Sequence, residues 1–289
     1  MSLENFRKPK SIAILFNSEL REASVLAEDI KSHLSGEFTV YLDGTRSVLE
    51  KELSIQADLI ISVGGDGTIL RCAHVANQSQ IPLLGVNMGN LGFLCEVEAS
   101  DVKNRLNQYL SGSAIIEQRS TLNIKLQSNS IQQEFFALND FVLARGAKIR
   151  VIDVETSING KHFATYRGDG LVVSTATGST AYSLSLGGAI LSPWSDSIMI
   201  KPIASHTSLL GGMVLEKDSF IRLKADSPED LSITVDGFMD VQLRELDHID
   251  ISVNGENRVN FVRLPDFREE YWSLLTRKLE LRKGDSLGK

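Results

Sequence analysis

The first third of the chain alternates continuous apolar segments with segments of helical spacing. The apolar segments are residues 11–16, 39–42, 58–63 and 81–86. Residues 20–34, which lie between the first two, carry apolar side chains at helical spacing. Continuous apolar strands that alternate with helices are typical of a parallel sheet covered on both faces. We therefore predict an α/β domain over residues 1–112.

After about residue 113 the pattern changes to an alternation of apolar and polar side chains. This alternation indicates antiparallel strands with one buried face. Asn159-Gly160 lies between two such segments and is a typical two-residue hairpin turn. The clearest predicted strands are residues 121–126, 149–154, 219–224, 231–235 and 249–253. The sequence therefore predicts a mainly antiparallel β domain over residues 113–262.

The end of the chain carries one more helical pattern. Residues 269–281 have amphipathic spacing, and we expect the basic pair Arg277-Lys278 on their solvated face. We predict that residues 263–289 form a C-terminal tail whose helix packs back on the N-terminal domain.

Composition narrows the class of protein. The 289 residues carry a formal net charge of −7, which does not favour a general nucleic-acid or membrane surface. No apolar run approaches the roughly 20 residues that span a bilayer. The two cysteines, Cys72 and Cys95, are too few for a disulfide framework, which favours a reducing compartment. We expect a cytoplasmic protein with no nucleic-acid and no membrane partner.

A glycine-rich turn follows the strand predicted at residues 58–63. Its residues are Gly64, Gly65, Asp66, Gly67 and Thr68. A strand, a glycine turn and a helix start form a common phosphate-binding arrangement, because backbone N–H groups point at the ligand. Asp-Gly is also one of the commonest turn dipeptides. Taken alone, the pattern leaves a plain turn and a functional loop equally open.

Asp66 places a carboxylate among groups that favour an anion. We interpret it as either a metal partner or a general base. The loop at residues 87–92 also follows a predicted parallel strand, and ligands bind beyond the carboxyl ends of such strands. The two loops can therefore share one cleft.

A segment rich in hydroxyl groups follows a predicted strand at residues 171–174. We predict a helix from about Ser179 that ends near Gly187-Gly188. Hydroxyls and free N–H groups at a helix start suit the recognition of ribose, phosphate or amide groups. Helix capping explains one or two hydroxyls, but not this number together with Gly178 and Tyr182.

The order of these motifs resembles the NAD kinase family. The Gly-Gly-Asp-Gly-Thr motif is followed by Asn139-Asp140, by Asp169-Gly170 and by Ser-Thr-x-Thr-Gly-Ser-Thr-Ala-Tyr from Ser174. The first motif is shared with diacylglycerol, sphingosine and 6-phosphofructokinases, whereas the last is specific to NAD kinases. The resemblance covers residues 11–281. It implies the fold that NAD kinases share with diacylglycerol kinases, followed by a β-rich NAD-binding domain.

The resemblance implies phosphorylation of the adenosine ribose 2′-hydroxyl of NAD, by ATP or polyphosphate, to form NADP. It implies that Asp66 is the proton acceptor and that Asp66 and Gly67 contact NAD. It also implies a divalent metal ion, expected to be Mg²⁺, whose ligands stay unknown, and a homodimer or homotetramer. The residues expected to bind the ATP phosphates are Gly64, Gly65, Gly67, Thr68 and Arg71.

Further NAD contacts are implied in the β domain. Asp169 is expected to bind the nicotinamide end of NAD. A charged side chain at the position of Arg167 is similar to that of family members that select NAD over NADH. The full set of implied contacts is Asn139, Asp140, Arg150, Arg167, Asp169, Thr177, Thr180, Ala181, Tyr182, Ser183, Leu184 and Ser185.

The chain departs from the family pattern at several positions. Asp140 stands where glutamate is usual, and Phe238 stands where glutamine is common. Glycines replace the Arg-Pro that usually follows His206-Thr207. Because of these departures, a catalytically weak NAD-binding regulatory module is an alternative function, since a fold can persist after its activity is lost. A diacylglycerol-type lipid kinase, which rests on residues 64–68 alone, is the other alternative.

Overall fold

The chain divides into two compact units in a computed structural model. Unit 1 is Met1–Gln118 together with Val259–Lys289, and unit 2 is Arg119–Arg258. Among the described residues, no helix is both long enough and apolar enough to cross a membrane. The structure describes residues 4–77, 79–89, 92–128, 131–148, 150–205, 212–227, 229–243 and 246–280.

Unit 1 is built on a parallel sheet flanked by helices. Strands β3, β2, β4 and β5 pair in that order, and each pair is parallel. Every residue of β4 is buried, which explains its continuous apolar sequence. The elements, in chain order, are β1 (Glu4–Asn5), β2 (Ser11–Phe16), α1 (Arg21–Leu34), β3 (Thr39–Gly44), α2 (Thr45–Glu50), β4 (Leu59–Gly64), α3 (Asp66–Asn77), β5 (Leu83–Asn87), β6 (Val97–Glu98) and α4 (Val102–Leu110).

The helix α1 shows how the sequence pattern builds the core of unit 1. Its buried residues are Ala23, Ala27, Ile30 and Leu34, which recur every three or four positions and therefore share one helix face. They belong to the same apolar cluster as Ile61 and Val63 of β4.

Unit 2 is almost entirely antiparallel β-structure. One sheet has the strand order β14-β13-β12-β9-β16-β17, and β11, β10, β15 and β18 pair in that order in another. The elements, in chain order, are β7 (Ile115–Ser128), β8 (Ile131–Ala137), β9 (Asp140–Arg145), β10 (Ile152–Ile158), β11 (Lys161–Gly168), β12 (Gly170–Thr175), a 3₁₀ turn (Gly178–Thr180), α5 (Tyr182–Ser185), β13 (Ile198–Ile203), β14 (Met213–Leu215), β15 (Ile221–Asp226), β16 (Leu231–Val235), β17 (Met239–Leu243) and β18 (His248–Arg263). The first residues of β7 and the last residues of β18 belong to unit 1.

The predicted fold class, a parallel α/β domain followed by a mainly antiparallel β domain, is confirmed. The hairpin predicted at Asn159-Gly160 is also confirmed, because Ile158 lies opposite Lys161 and leaves only these two residues in the turn. The strand predicted from residue 149 begins at Ile152.

The helix predicted from Ser179 to Gly187-Gly188 is wrong in length. The structure has one 3₁₀ turn and then the single turn α5, with Ala181 between them at φ −99° and ψ −127°, outside the helical region. The hydroxyls of Ser179 and Thr180 donate to the carbonyls three residues earlier. Such local hydrogen bonds compete with a regular helix.

The C-terminal segment begins where β18 ends. Phe261 of β18 pairs in parallel with Leu83 of β5, and the helix α6 (Phe267–Lys278) follows. Lys278, which was predicted on a solvated face, is half-buried, and its Nζ lies 4.5 Å from the centre of the Phe93 ring. The remaining predicted part of this helix, from residue 281, lies outside the described residues.

Candidate active site

The glycine-rich motif folds as a strand, a turn and a helix. The strand β4 ends at Gly64, and α3 begins at Asp66. The first helical hydrogen bond runs from the N–H of Thr68 to the carbonyl of Gly65, at 2.9 Å. Gly67 is exposed and Asp66 is half-buried. The motif therefore lies at the carboxyl end of a parallel strand, with an accessible helix start.

The Asp66 carboxylate is fixed by two backbone N–H groups. Its Oδ2 accepts the N–H of Phe93 at 2.8 Å, and its Oδ1 accepts the N–H of Leu94 at 3.1 Å. An ionised carboxylate has about four acceptor sites. The side chain is therefore held in position and can still accept a proton or a further hydrogen bond.

Gly92 is necessary for this arrangement. A Cβ atom on residue 92 would lie 2.1 Å from Asp66 Oδ1 and 2.9 Å from its Cγ. Such contacts are far inside van der Waals range, so only glycine lets the loop approach the carboxylate this closely.

The loop after β5 contacts the glycine-rich motif. The N–H of Met88 donates to the carbonyl of Gly64 at 3.0 Å. Asn87 is buried, and its Nδ2 donates to the carbonyl of Gly89 and to Glu98 Oε2, both at 3.0 Å. The structure thus brings together the two loops that the sequence placed at strand ends. Residues 90 and 91 of the second loop lie outside the described residues.

Arg71 lies one turn beyond the start of α3. Its Nη1 donates to the carbonyl of Gly67 at 3.2 Å, and the side chain is half-buried. The neighbouring Cys72 is fully buried, and burial raises the pKa of its thiol to about 12. Cys72 is therefore a neutral core residue. Arg71 supplies a basic side chain beside the motif.

In unit 2, the segment 138–140 is held by a second aspartate. The Asp236 carboxylate accepts the N–H groups of Leu138 at 2.9 Å, Asn139 at 2.7 Å and Asp140 at 3.2 Å. The N–H of Asp236 donates back to the carbonyl of Asp140 at 2.9 Å. This role of Asp236 was not predicted, because the sequence carries no separate signal for it.

Asp140 itself is buried, with 5% of its surface exposed. Burial, and then the nearby charge of Asp236, raise the pKa of its carboxyl to about 7, although the N–H of Tyr182 opposes the shift. Near neutral pH, Asp140 therefore exists as a mixture of the protonated and ionised forms.

The hydroxyl-rich segment packs directly against Asn139. The carbonyl of Asn139 accepts the N–H of Thr175 at 2.9 Å. A Cβ atom on residue 178 would lie 2.0 Å from the same oxygen, so this approach requires Gly178. Asn139 and Asp140 are thereby brought next to the segment that carries the other implied NAD contacts.

The residues of that segment differ in access. Thr177 is buried, and its Oγ1 lies 3.3 Å from Arg119 Nη1. Ser183 is buried, and its hydroxyl is directed at the sulfur of Met199. The accessible members, which are exposed or half-buried, are Thr180, Ala181, Tyr182, Leu184 and Ser185.

Asp169 is paired with an arginine that the sequence analysis missed. Arg145 Nε donates to Asp169 Oδ1 at 2.8 Å, and the N–H of Arg145 donates to the carbonyl of Asp169 at 2.9 Å. The pairing follows from the register of β9 against β12, in which Ala144 lies opposite Gly170. Because register is a property of the fold, no local sequence pattern could have found Arg145.

Arg150 and Arg167 are both exposed. Arg150 Nη1 lies 3.5 Å from Glu229 Oε1, and Arg167 lies opposite Asp153 in the pairing of β10 with β11. The structure therefore pairs Arg150 with Glu229, whereas Asp169 is paired with Arg145.

Two family descriptions match the chain. The ATP-NAD kinase N-terminal domain matches residues 3–114, and the ATP-NAD kinase C-terminal domain matches residues 138–264. The chain is similar to an NAD kinase of Dehalococcoides mccartyi, with 40% identity over 208 residues, 71% of this chain and 73% of the relative.

Solved structures show the same fold. Yeast NADH kinase complexed with NADH matches with a TM-score of 0.83 at 22% identity, over 100% of this chain and 94% of that one. An NAD kinase from Archaeoglobus fulgidus in complex with ATP matches with a TM-score of 0.74 at 23% identity, over 92% and 99%. From the two matched domains and the relative at 40% identity, we conclude that the chain belongs to the NAD kinase family of enzymes.

Proposed function

We propose that the chain transfers the terminal phosphoryl group of ATP to the adenosine ribose 2′-hydroxyl of NAD. The observation that carries this proposal is Asp66, a fixed carboxylate in an accessible glycine turn of an NAD kinase family member. The Archaeoglobus fulgidus NAD kinase, whose structure is a complex with ATP, supports ATP as the donor. The yeast NADH kinase, whose structure is a complex with NADH, supports a dinucleotide acceptor.

Asp66 is the proposed proton acceptor. The ribose 2′-oxygen forms a bond to the γ-phosphorus, the bond from that phosphorus to the β–γ bridging oxygen breaks, and ADP leaves. The hydroxyl proton passes to the Asp66 carboxylate. Phosphoryl transfer depends mainly on positioning and charge stabilisation, and a base must be held within hydrogen-bond reach of the proton that it takes. The N–H groups of Phe93 and Leu94 hold the Asp66 carboxylate and so provide the positioning.

The start of α3 is the proposed phosphate site. Free N–H groups at a helix start attract anions, and Arg71 adds a cation one turn further on. Gly64, Gly65, Gly67 and Thr68 complete the proposed contacts.

We propose that a divalent ion, Mg²⁺, enters with the ATP phosphates and neutralises their charge. Mg²⁺ usually binds through one or two carboxylates together with substrate phosphates and water. The described part of the chain has no group of three His, Cys, Asp or Glu side chains that could hold a metal ion. A site completed by the substrate phosphates agrees with that finding.

Unit 2 supplies the proposed NAD contacts, which are the set given by the family resemblance. Asn139, Asp169 and Tyr182 combine polar groups with partial or full exposure. We propose that Arg167 favours NAD over NADH, and that Thr177 and Ser183, which are buried, act by shaping the segment.

Two properties beyond the reaction complete the proposal. We propose a homodimer or homotetramer, to be tested by light scattering on the purified chain. We also propose a cytoplasmic location, because Cys72 and Cys95 are both free thiols.

The experiment that tests the reaction is a direct assay of products. The enzyme is incubated with NAD, Mg²⁺ and either ATP or polyphosphate, and NADP is measured with an NADP-specific dehydrogenase, which also reports the 2′ position. We expect NADP with ATP. When NADH replaces NAD the product is NADPH, which is measured by cycling through the same dehydrogenase, and we expect less of it. NAD binding without NADP from either donor would instead support the regulatory module that the Asp140 and Phe238 departures suggest.

A further inference from the structure

Arg263, the last residue of β18, is the centre of a buried ion network in unit 1. Its Nε donates to Glu117 Oε2 at 2.9 Å, and its Nη1 donates to Glu96 Oε2 at 2.8 Å. The exposed fractions of these side chains are 4% for Arg263, 2% for Glu117 and 9% for Glu96. Glu96 also accepts the hydroxyl of Tyr109 at 3.4 Å, which ties the network to α4.

Arg263 stays charged in this environment. Burial opposes the charge, but Glu96 and Glu117 raise the pKa of the guanidinium above its usual range. Replacing a buried ion network by apolar residues often leaves stability unchanged or higher. A contribution to stability therefore does not explain why the network is present, and its contacts point to another role.

The network contacts the loop that holds Asp66. Arg263 Nη1 donates to the carbonyl of Leu94 at 3.2 Å, and the N–H of Leu94 donates to Asp66 Oδ1 at 3.1 Å. Residues 92–94 belong to no helix or strand. The Leu94 side chain is buried, and these two side-chain contacts hold its backbone N–H and carbonyl. Asp66 and Arg263 thus bind the two backbone groups of one residue.

We propose that Arg263 is a positioning residue for Asp66, acting through the backbone of Leu94. This inference rests on the proposed role of Asp66 as proton acceptor. Arginine suits the task because its planar fork donates in several fixed directions. Lysine would keep the charge but could not hold two carboxylates and a carbonyl with the same geometry.

The test is a double-mutant cycle on the full chain with Arg263→Lys and Asp66→Asn. Displacing a reacting group by about 1 Å can cost about 100-fold in rate. We therefore expect Arg263→Lys to lower kcat by about 10- to 100-fold, with the KM values for NAD and ATP changed less than about threefold. In the Asp66→Asn background, the same substitution should leave the residual kcat nearly unchanged, because it acts through Asp66.

The matched control is Arg258→Lys in unit 2. Arg258 forms a two-pronged pair with Asp196, both contacts at 2.8 Å, and has no proposed role in the reaction. We expect its kcat to stay within about twofold of the parent. Thermal unfolding of each variant confirms that rates are compared for folded protein.

Each outcome of the cycle decides between the proposals. A kcat loss in the parent but not in the Asp66→Asn background supports positioning through Asp66. An equal loss in both backgrounds, or no loss beyond that of Arg258→Lys, overturns it. If Asp66→Asn itself turns over like the parent, the proposed role of Asp66 fails. A variant that does not fold is replaced by Glu117→Gln, which keeps the shape but removes one charge, and the same criteria apply.

Discussion

Each unit organises its proposed site loop with one aspartate, but the two aspartates do different work. Asp66 accepts N–H groups from Phe93 and Leu94, and it is itself the group proposed to react. Asp236 accepts N–H groups from residues 138–140 and leaves the proposed NAD contacts to Asn139 and Asp140. In unit 1, any change in the loop therefore acts on the reacting group. In unit 2, the organising residue can be altered while the contacting side chains stay present.

Among substitutions that leave both aspartates in place, the largest effect should come from disturbing the loop in unit 1. Gly92→Ala places a methyl group 2.1 Å from Asp66 Oδ1, so the loop or the carboxylate must move. We expect kcat to fall by about 10- to 100-fold, with smaller changes in both KM values, as measured by steady-state kinetics.

Gly36→Ala is the matched control for that prediction. A Cβ atom at residue 36 meets no atom within 4 Å, so kcat should stay within about twofold of the parent. Equal kcat for Gly92→Ala and Gly36→Ala would show that the loop does not control Asp66.

Removing the organiser of unit 2 should change substrate binding more than turnover. Asp236→Asn leaves one acceptor oxygen for the three N–H groups, and an unsatisfied buried N–H costs about 1–3 kcal/mol. We expect the KM for NAD to rise about 10-fold and kcat to change less. The control is Asp240→Asn on β17, which is exposed and contacts Thr234. A fall in kcat at constant KM would contradict the contrast between the two units.

A pH series sharpens the account of Asp140. Because its pKa in the folded chain is about 7 against an ordinary value of 3.8, the folded protein holds this proton more tightly than the unfolded chain. The parent should therefore lose stability relative to Asp140→Asn as pH rises from about 4 to about 7, and the difference should be constant above that. Urea unfolding at several pH values measures it, and parallel curves would refute the raised pKa.

The smallest effect is expected at Arg145. Its ion pair with Asp169 is partly exposed, with side-chain exposures of 24% and 37%, and such pairs contribute about 0–1 kcal/mol. Because Arg145 holds Asp169, a proposed NAD contact, Arg145→Gln should raise the KM for NAD by about two- to fivefold. Arg222→Gln, which breaks a comparable pair with Asp250, should leave the KM unchanged. An equal rise in the KM for NAD in both variants would show that Arg145 has no specific role in NAD binding.

The sequence predicted those parts of the molecule that depend on local pattern. Periodicity gave the two fold classes, and the glycine-rich motif gave the position of Asp66 at the end of β4. The sequence did not predict the buried ion network around Arg263, because Arg263 lies 146 residues from Glu117 and 167 from Glu96. Contacts over such separations are set by strand pairing, which no local spacing reveals.

The helix predicted for the hydroxyl-rich segment was wrong in length for a different reason. Its sequence carries a helix-start composition, but the hydroxyls bind nearby carbonyls and Ala181 leaves the helical region. Side-chain competition for backbone groups depends on rotamers that a sequence pattern does not specify.

Two aspartates that flank β4 provide the most direct test of the central claim. Asp58 accepts the N–H groups of Lys10 and Ser11 at 2.8 and 2.9 Å at one end of the strand, as Asp66 accepts two N–H groups at the other. Both Asp→Asn variants thus disturb a carboxylate that holds two backbone amides, and NADP formation is measured for each. The account predicts a loss of about 10²- to 10⁴-fold for Asp66→Asn and no more than about twofold for Asp58→Asn. Equal rates for the two folded variants would contradict it.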